Sequence, residues 1–160
     1  MNATYPPTVI VRNSRENPRK CSILPLKGRP DLVFLSYPLT KPVVLENYVR
    51  LAVEGEELSA RDAGAGILLL DASWRWAGVM DRAFHDVPPR SLRGYHTAYP
   101  RRSKQQTDPE SGLASVEALY LAYHILGRPT AGLLDHYRWA DEFLRLNDLN
   151  QASGPLSSKF

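Results

Sequence analysis

The stretch GILLLDASWRWAGVMDRAF, residues 66–84, decides how this chain folds. Gly66 to Leu70 is an apolar run without alternation, as a strand covered on both faces requires, because each successive side chain then enters a core. The run stops at Asp71, and Arg75 to Phe84 behind it reads as a short helix. A doubly covered strand leading at once into a helix is the unit of an α/β sheet with mostly parallel strands and flanking helices. In such sheets ligands sit beyond the C-terminal strand ends. Asp71 at that end has two readings. It caps the following helix, or it stands in a binding site, since a carboxylate there is costly to desolvate unless donors or a cation meet it. Trp74 and Trp76 carry the same choice between core and ligand, and residues two apart on a helix point to different sides.

Other segments fit the same architecture. Thr8 to Arg12 and Asp31 to Tyr37 are strand candidates, the second stopped by Pro38 and Pro42. Leu45, Val49, Ala52 and Val53 recur at helical spacing, which predicts a helix over Leu45 to Leu58. Pro88-Pro89 closes the helix after Asp71, and Leu92 to Tyr99 is expected to form a fourth strand that leads into a basic loop ending near Gly112. Ala114 to Leu126 reads as a helix ended by Gly127 and Pro129, with Val116, Leu119, Tyr120, Tyr123 and Leu126 on one side. Thr130 is the expected N-cap of a last helix reaching Leu146. Residues 1–149 thus form one domain, and the polar tail from Asn150 to Phe160 is expected to be disordered. The strand ends at Tyr37, Asp71 and Tyr99 should open on one crevice.

A chain of 160 residues, 43% of them hydrophobic, suits one compact domain. The single cysteine, Cys21, excludes an internal disulfide framework and a multi-thiolate zinc site. No segment resembles a signal peptide, and no apolar run nears the roughly 20 residues that span a bilayer, so a soluble, cytoplasmic protein is expected. Independently of these features, a monomer is the working expectation for its oligomeric state. The net charge is +3. Its basic residues cluster: Arg12, Arg15, Arg19, Lys20, Lys27 and Arg29 face only Glu16 in the first 29 residues. Arg90, Arg93, Arg101, Arg102 and Lys104 face only Asp86 between Asp86 and Lys104, with Tyr95, His96 and Tyr99 among them. Cations interleaved with aromatics suit phosphate contacts and base stacking, although two solvated loops would read alike.

Several chemistries find no support. There is no Walker loop and no G-x-G-x-x-G after a strand. His85, His96, His124 and His136 are scattered without ligand spacing, so no metal is expected. Ser73 and Ser115 lack a nucleophile elbow.

Five short motifs stand in a fixed order: Pro18-Arg-Lys-Cys-Ser22, Phe34-Leu-Ser-Tyr-Pro38, Leu70-Asp-Ala-Ser-Trp74, Leu113-Ala-Ser-Val-Glu-Ala-Leu119 and Phe143-Leu-Arg-Leu-Asn147. Together with Trp139 they resemble the aminocarboxypropyltransferase family that modifies small-subunit ribosomal RNA. The resemblance implies a SPOUT-like fold with a C-terminal trefoil knot and S-adenosylmethionine as the cofactor. It also implies transfer of the 3-amino-3-carboxypropyl group to N3 of a uridine or modified pseudouridine, with release of methylthioadenosine. On this resemblance Ser22, Leu35, Ser36 and Pro38 line the cofactor site, Trp74 packs on the cofactor, and Leu113, Ala114 and Ser115 supply contacts from the knotted segment. Tyr95 is counted with them. Asp71 faces the reacting end, as the base that takes the N3 proton or as an electrostatic contact to the cofactor.

The segment Ala98-Tyr-Pro-Arg-Arg-Ser-Lys104 departs from that family and looks more like the related DTW-domain family, which places the same group on transfer RNA. The expected partner is therefore RNA, ribosomal in the first instance and transfer RNA in the second. Arg15, Arg19, Lys20, Arg93, Arg101, Arg102 and Lys104 are the candidate RNA contacts. Two other readings stay open: a methyltransferase of the same superfamily, and a ribosome assembly factor that binds RNA without catalysis.

Overall fold

The computed structural model describes residues 5–18, 21–72, 74–100 and 112–149, with the side chains of residues 74 and 75 outside the description. Among these residues the strands are β1 (Thr8–Asn13), β2 (Leu32–Tyr37), β3 (Tyr48–Glu57), β4 (Gly66–Asp71) and β5 (Pro89–Ser91). The helices are α1 (Trp74–Ala83), α2 (Ser115–Leu126) and α3 (Ala140–Leu146). The strands form one sheet in the order β2-β1-β4-β3-β5, and every pairing is parallel. None of the described helices is long and apolar enough to cross a membrane.

The unalternating run 66–70 is covered on both faces. Ile67 and Leu69 join Ile10, Val49 and Leu51 in a core against α2, which contributes Leu119 and Tyr123, while Phe143 enters from α3. Leu68 joins Val9 and Val11 on the opposite face, where Met80 of α1 and Phe84 and Val87 beyond it complete a second core. β1 and β4 thus divide their side chains between two cores by the strand's period of two. The order of strands reverses between β1 and β4, where such a sheet opens a crevice at its C-terminal edge. Arg12 and Asp71 are register partners at that opening.

Three expected elements differ. Leu45 to Leu58 is not a helix: Tyr48–Glu57 is β3. A spacing of four fits a period of two as well as one of 3.6, and Val49 and Leu51 in fact alternate into the α2-side core. Arg50 between them is a buried cation, not a solvent-facing one. It pairs with Asp81 of α1 and donates from Nε to the Val87 carbonyl at 3.2 Å. Leu92 to Tyr99 is not a strand either, since β5 ends at Ser91 and Gly94 then turns the chain at φ 86°. β5 begins at Pro89, and a proline is tolerated there because the strand lies at the sheet edge. Thr130 does not start a long helix: residues 131–139 form successive turns, with Gly132 at φ 84°, and α3 begins only at Ala140.

α2 is fastened at both ends. Near its C-terminus Tyr123 shares a 2.7 Å hydrogen bond with Thr8 of β1 and donates to Asp31 at 3.2 Å, and burial pushes its phenol pKa up to about 12. Gly127 closes the helix in the left-handed region at φ 73°.

β3 carries a bulge where both Leu51 and Glu56 pair with Arg90. Gly55 within it has φ 104°, and a Cβ there would fall 2.7 Å from the Pro89 carbonyl oxygen. Gly55→Ala is therefore expected to cost about 1–3 kcal/mol in urea denaturation. Gly64→Ala, where an added Cβ meets nothing within 4 Å, should stay within about 0.5 kcal/mol.

Candidate functional site

The C-terminal edge of β1 and β4 gathers polar side chains from separate segments around Asp71, which is only 9% exposed. One carboxylate oxygen, Oδ1, accepts from the Ser115 hydroxyl at the start of α2. The other, Oδ2, accepts from the Cys21 thiol at 3.1 Å and lies 3.5 Å from Nε of Arg12. Arg12 Nε also donates to Cys21 Sγ at 3.4 Å, and its Nη2 donates to the Glu16 carbonyl at 3.1 Å. Burial, followed by the neighbouring Asp71 charge, raises the Cys21 pKa above its ordinary value. Cys21 is thus a protonated donor at neutral pH and a poor nucleophile.

Two further contacts fix the start of α2. Ser22 Oγ accepts from the Val116 amide at 3.2 Å, so a loop almost a hundred residues earlier satisfies one of the helix's unpaired N–H groups. Glu117, fully buried, accepts from the Ala114 amide at 2.8 Å, the Ala98 amide at 2.9 Å, the Thr97 hydroxyl at 2.7 Å and the Tyr137 hydroxyl at 2.8 Å. It binds residues 97–98 and the turn before α3 to the first turn of α2. Asn147 completes the clamp by accepting from the His96 amide at 2.7 Å and donating to its carbonyl at 2.9 Å.

The structure brings Ser22, Asp71, Ala114 and Ser115 into one corner, with Leu113 half-buried beside them in sequence. Leu35 is half-buried on β2 against the α1-side core, and Ser36 is exposed, in register with Arg12 and through it with Asp71. Pro38 is exposed just past β2, after a cis peptide bond. Trp74 opens α1, and its side chain lies outside the described atoms. Tyr95 stands elsewhere: it lines a cleft of about 410 Å³ at the ends of β3 and β5, with Leu58, Leu92 and Ile125. Tyr37, half-buried, packs against the α1-side core, and Tyr99, also half-buried, meets Trp139 edge-to-face at 5.1 Å.

Of the basic candidates, Arg93 donates to the Gly55 carbonyl at 3.1 Å, and the exposed Arg15 holds its guanidinium 5.2 Å from the Trp76 ring centre. Arg19, Lys20, Arg101, Arg102 and Lys104 lie outside the described residues. Among the described residues no group of three or more His, Cys, Asp and Glu could hold a metal. Arg12, Cys21 and Glu117 are the site residues that sequence reasoning did not select. A lone arginine ending a strand of Val and Ile, and a lone acid in the apolar helix SVEALYLAYHIL, are the signals that could have found two of them.

No protein-family model matches the sequence, and no curated protein matches it. The fold does have a solved counterpart. The SAM-dependent rRNA:acp-transferase Tsr3 from Vulcanisaeta distributa superposes with a TM-score of 0.68 at 20% identity, over 91% of this chain and 82% of that one. The likeness shows the fold, and it falls on an enzyme of the kind that the five motifs resemble.

A neutral amide at position 117 would turn a donor toward the donors that Glu117 now accepts. Glu117→Gln is expected to lose about 2–3 kcal/mol in urea denaturation, whereas Tyr137→Phe, which removes one donor and leaves three, should lose about 1 kcal/mol.

Proposed function

We propose that the protein transfers the 3-amino-3-carboxypropyl group of S-adenosylmethionine to N3 of a uridine or pseudouridine-type base in structured RNA, releasing methylthioadenosine. The observation that carries this reading is the convergence at Asp71, where Cys21-Ser22, Asp71 and Ser115, members of three separate motifs, interlock through hydrogen bonds. The fold likeness to Tsr3 supports it, and that enzyme's action on rRNA favours rRNA over tRNA as the substrate.

The corner suits such a cofactor chemically. Half-buried Leu35, Leu113 and Ala114 offer apolar surface, the first turn of α2 offers backbone donors, and Asp71 offers an anion. Ser36, Pro38 and Trp74 border the same edge, whereas Tyr95, in the cleft beyond β3 and β5, lies apart from the proposed set. S-adenosylmethionine supplies there a sulfonium whose aminocarboxypropyl carbon is open to attack by a nucleophile.

Asp71 already accepts a donor on each oxygen and stands beside a guanidinium, while a carboxylate has capacity for further donors. Held in this way it orients a cationic or N–H group more readily than it carries a mobile proton. Its role is electrostatic and positional, and orientation is the main catalytic device where one of several activated carbons must be selected. A SPOUT-like trefoil knot belongs to this reading on the resemblance of the five motifs. So do RNA contacts from Arg15, Arg19, Lys20, Arg93, Arg101, Arg102 and Lys104, and a monomeric, cytoplasmic protein.

Incubated with S-adenosylmethionine and total RNA, the protein is expected to release methylthioadenosine. S-adenosylhomocysteine in its place would assign methyl transfer, and neither cofactor uptake nor a nucleoside product would leave an RNA-binding protein. Asp71→Asn is expected to lower both turnover and calorimetric cofactor affinity by about tenfold or more, as loss of an electrostatic contact requires. Turnover lost at unchanged affinity would make Asp71 the base.

A further inference from the structure

The loop that follows β1 is built more firmly than a solvated basic loop needs to be. Asn13, only 3% exposed, accepts from the Arg15 amide through Oδ1 at 2.9 Å and from the Glu16 amide through its carbonyl at 3.1 Å. Its Nδ2 reaches Met80 Sδ of α1 at 3.7 Å, and the Ser14 amide donates to the Tyr37 carbonyl at 3.1 Å. Arg12, which holds Asp71, also holds the Glu16 carbonyl of this loop at 3.1 Å. The loop is therefore fixed to β2, to α1 and to the Asp71 corner.

From this loop Arg15 places its guanidinium 5.2 Å from the centre of the Trp76 ring. Core packing does not account for that arrangement, because Trp76 is only half-buried and Arg15 is exposed. Six of the eleven arginine side chains described meet carboxylates: Arg12 meets Asp71, Arg29 meets Asp31, Arg50 meets Asp81, Arg61 meets Glu56, Arg90 meets Asp62 and Arg145 meets Glu142. Arg15 meets none among the described residues, so its charge stands free above an indole that holds it in place. A guanidinium laid on an aromatic ring loses little freedom when it binds a phosphate and offers a plane on which a base can stack.

The geometry points to Arg15 and Trp76 as a docking platform for an unpaired RNA nucleotide next to the one that enters the Asp71 corner, the guanidinium taking its phosphate and stacking against its base. The inference rests on the proposed RNA substrate but not on the transfer reaction, so the two fail separately. Charge complementarity selects the partner: Arg19 and Lys20 continue the same chain segment, with Glu16 its only acid between Arg12 and Lys20.

Binding of a short fluorescein-labelled oligouridylate, followed by anisotropy across a salt series without cofactor, tests this. Arg15→Gln is expected to weaken binding about three- to tenfold and to reduce the salt slope by about one. Arg15→Lys should keep the slope yet recover only part of the affinity, because an ammonium cannot stack. Trp76→Leu should weaken binding while the calorimetric affinity for S-adenosylmethionine stays unchanged. Arg145→Gln, at an exposed position of α3 where the guanidinium lies 3.7 Å from Glu142, serves as the control for mere loss of charge. The platform is overturned if Arg15→Gln behaves like Arg145→Gln, if Arg15→Lys restores full affinity, or if a polyglutamate competes as well as the RNA. An Arg15→Gln loss that appears equally in cofactor affinity would overturn it too, since the residue would then act through the Asp71 corner.

Discussion

A buried carboxylate at the point where the strand order reverses holds this structure's candidate site together. Asp71 ends β4, and its partners come from β1, from the loop at Cys21 and from the start of α2, the last two 50 and 44 residues away in the chain. A carboxylate with so little exposure is tolerated only when donors replace the water it has lost, and here Ser115, Cys21 and Arg12 do so. The same donors fix the backbone segments that carry them. Ser22 follows Cys21 directly and reaches the Val116 amide, so the loop and the helix are joined twice.

Glu117 performs the same task one turn further along α2 with neutral partners. Its four donors bring together residues 97–98, the first turn of the helix and the turn before α3, without a cation among them. Such a group has no apolar substitute, because the backbone amides it satisfies would remain buried without a partner. The two acids divide the work. Asp71 binds the sheet to α2, and Glu117 with Asn147 binds the chain after β5 across α2 and α3.

Much of this was legible in the sequence, for a physical reason. β4 is covered on both faces and therefore shows an unbroken apolar run, and α2 shows both an apolar surface and a glycine stop, so each announces itself locally. β3 did not, because Leu45, Val49 and Val53 satisfy both periods, and because Arg50 is buried by an ion pair with a residue of another element. Residues 92–99 looked like a strand, but the backbone amides of His96 and Ala98 donate to the side chains of Asn147 and Glu117 rather than to a neighbouring strand. Gly132 divides the segment that looked like a single last helix. Among the site residues, Ser22, Asp71 and Ser115 were found because they lie in motifs. Arg12 and Glu117 stand out locally only as lone charges in apolar segments, and what they hold, Asp71 for one and residues 97–98 and Tyr137 for the other, is remote in sequence. Trp76, for which the sequence left core and ligand open, is half-buried and lies 5.2 Å from the Arg15 guanidinium.

If the Asp71 corner is the cofactor site, the hydrogen bond from Ser115 should matter to the ligand only while the carboxylate is there to receive it. The most direct measurement is a double-mutant cycle on calorimetric S-adenosylmethionine affinity with Ser115→Ala and Asp71→Ala. Ser115→Ala should weaken binding in the native background and have little further effect once Asp71 is alanine, a coupling of about 0.5–3 kcal/mol. Strictly additive losses, or native affinity in both single variants, would contradict the account.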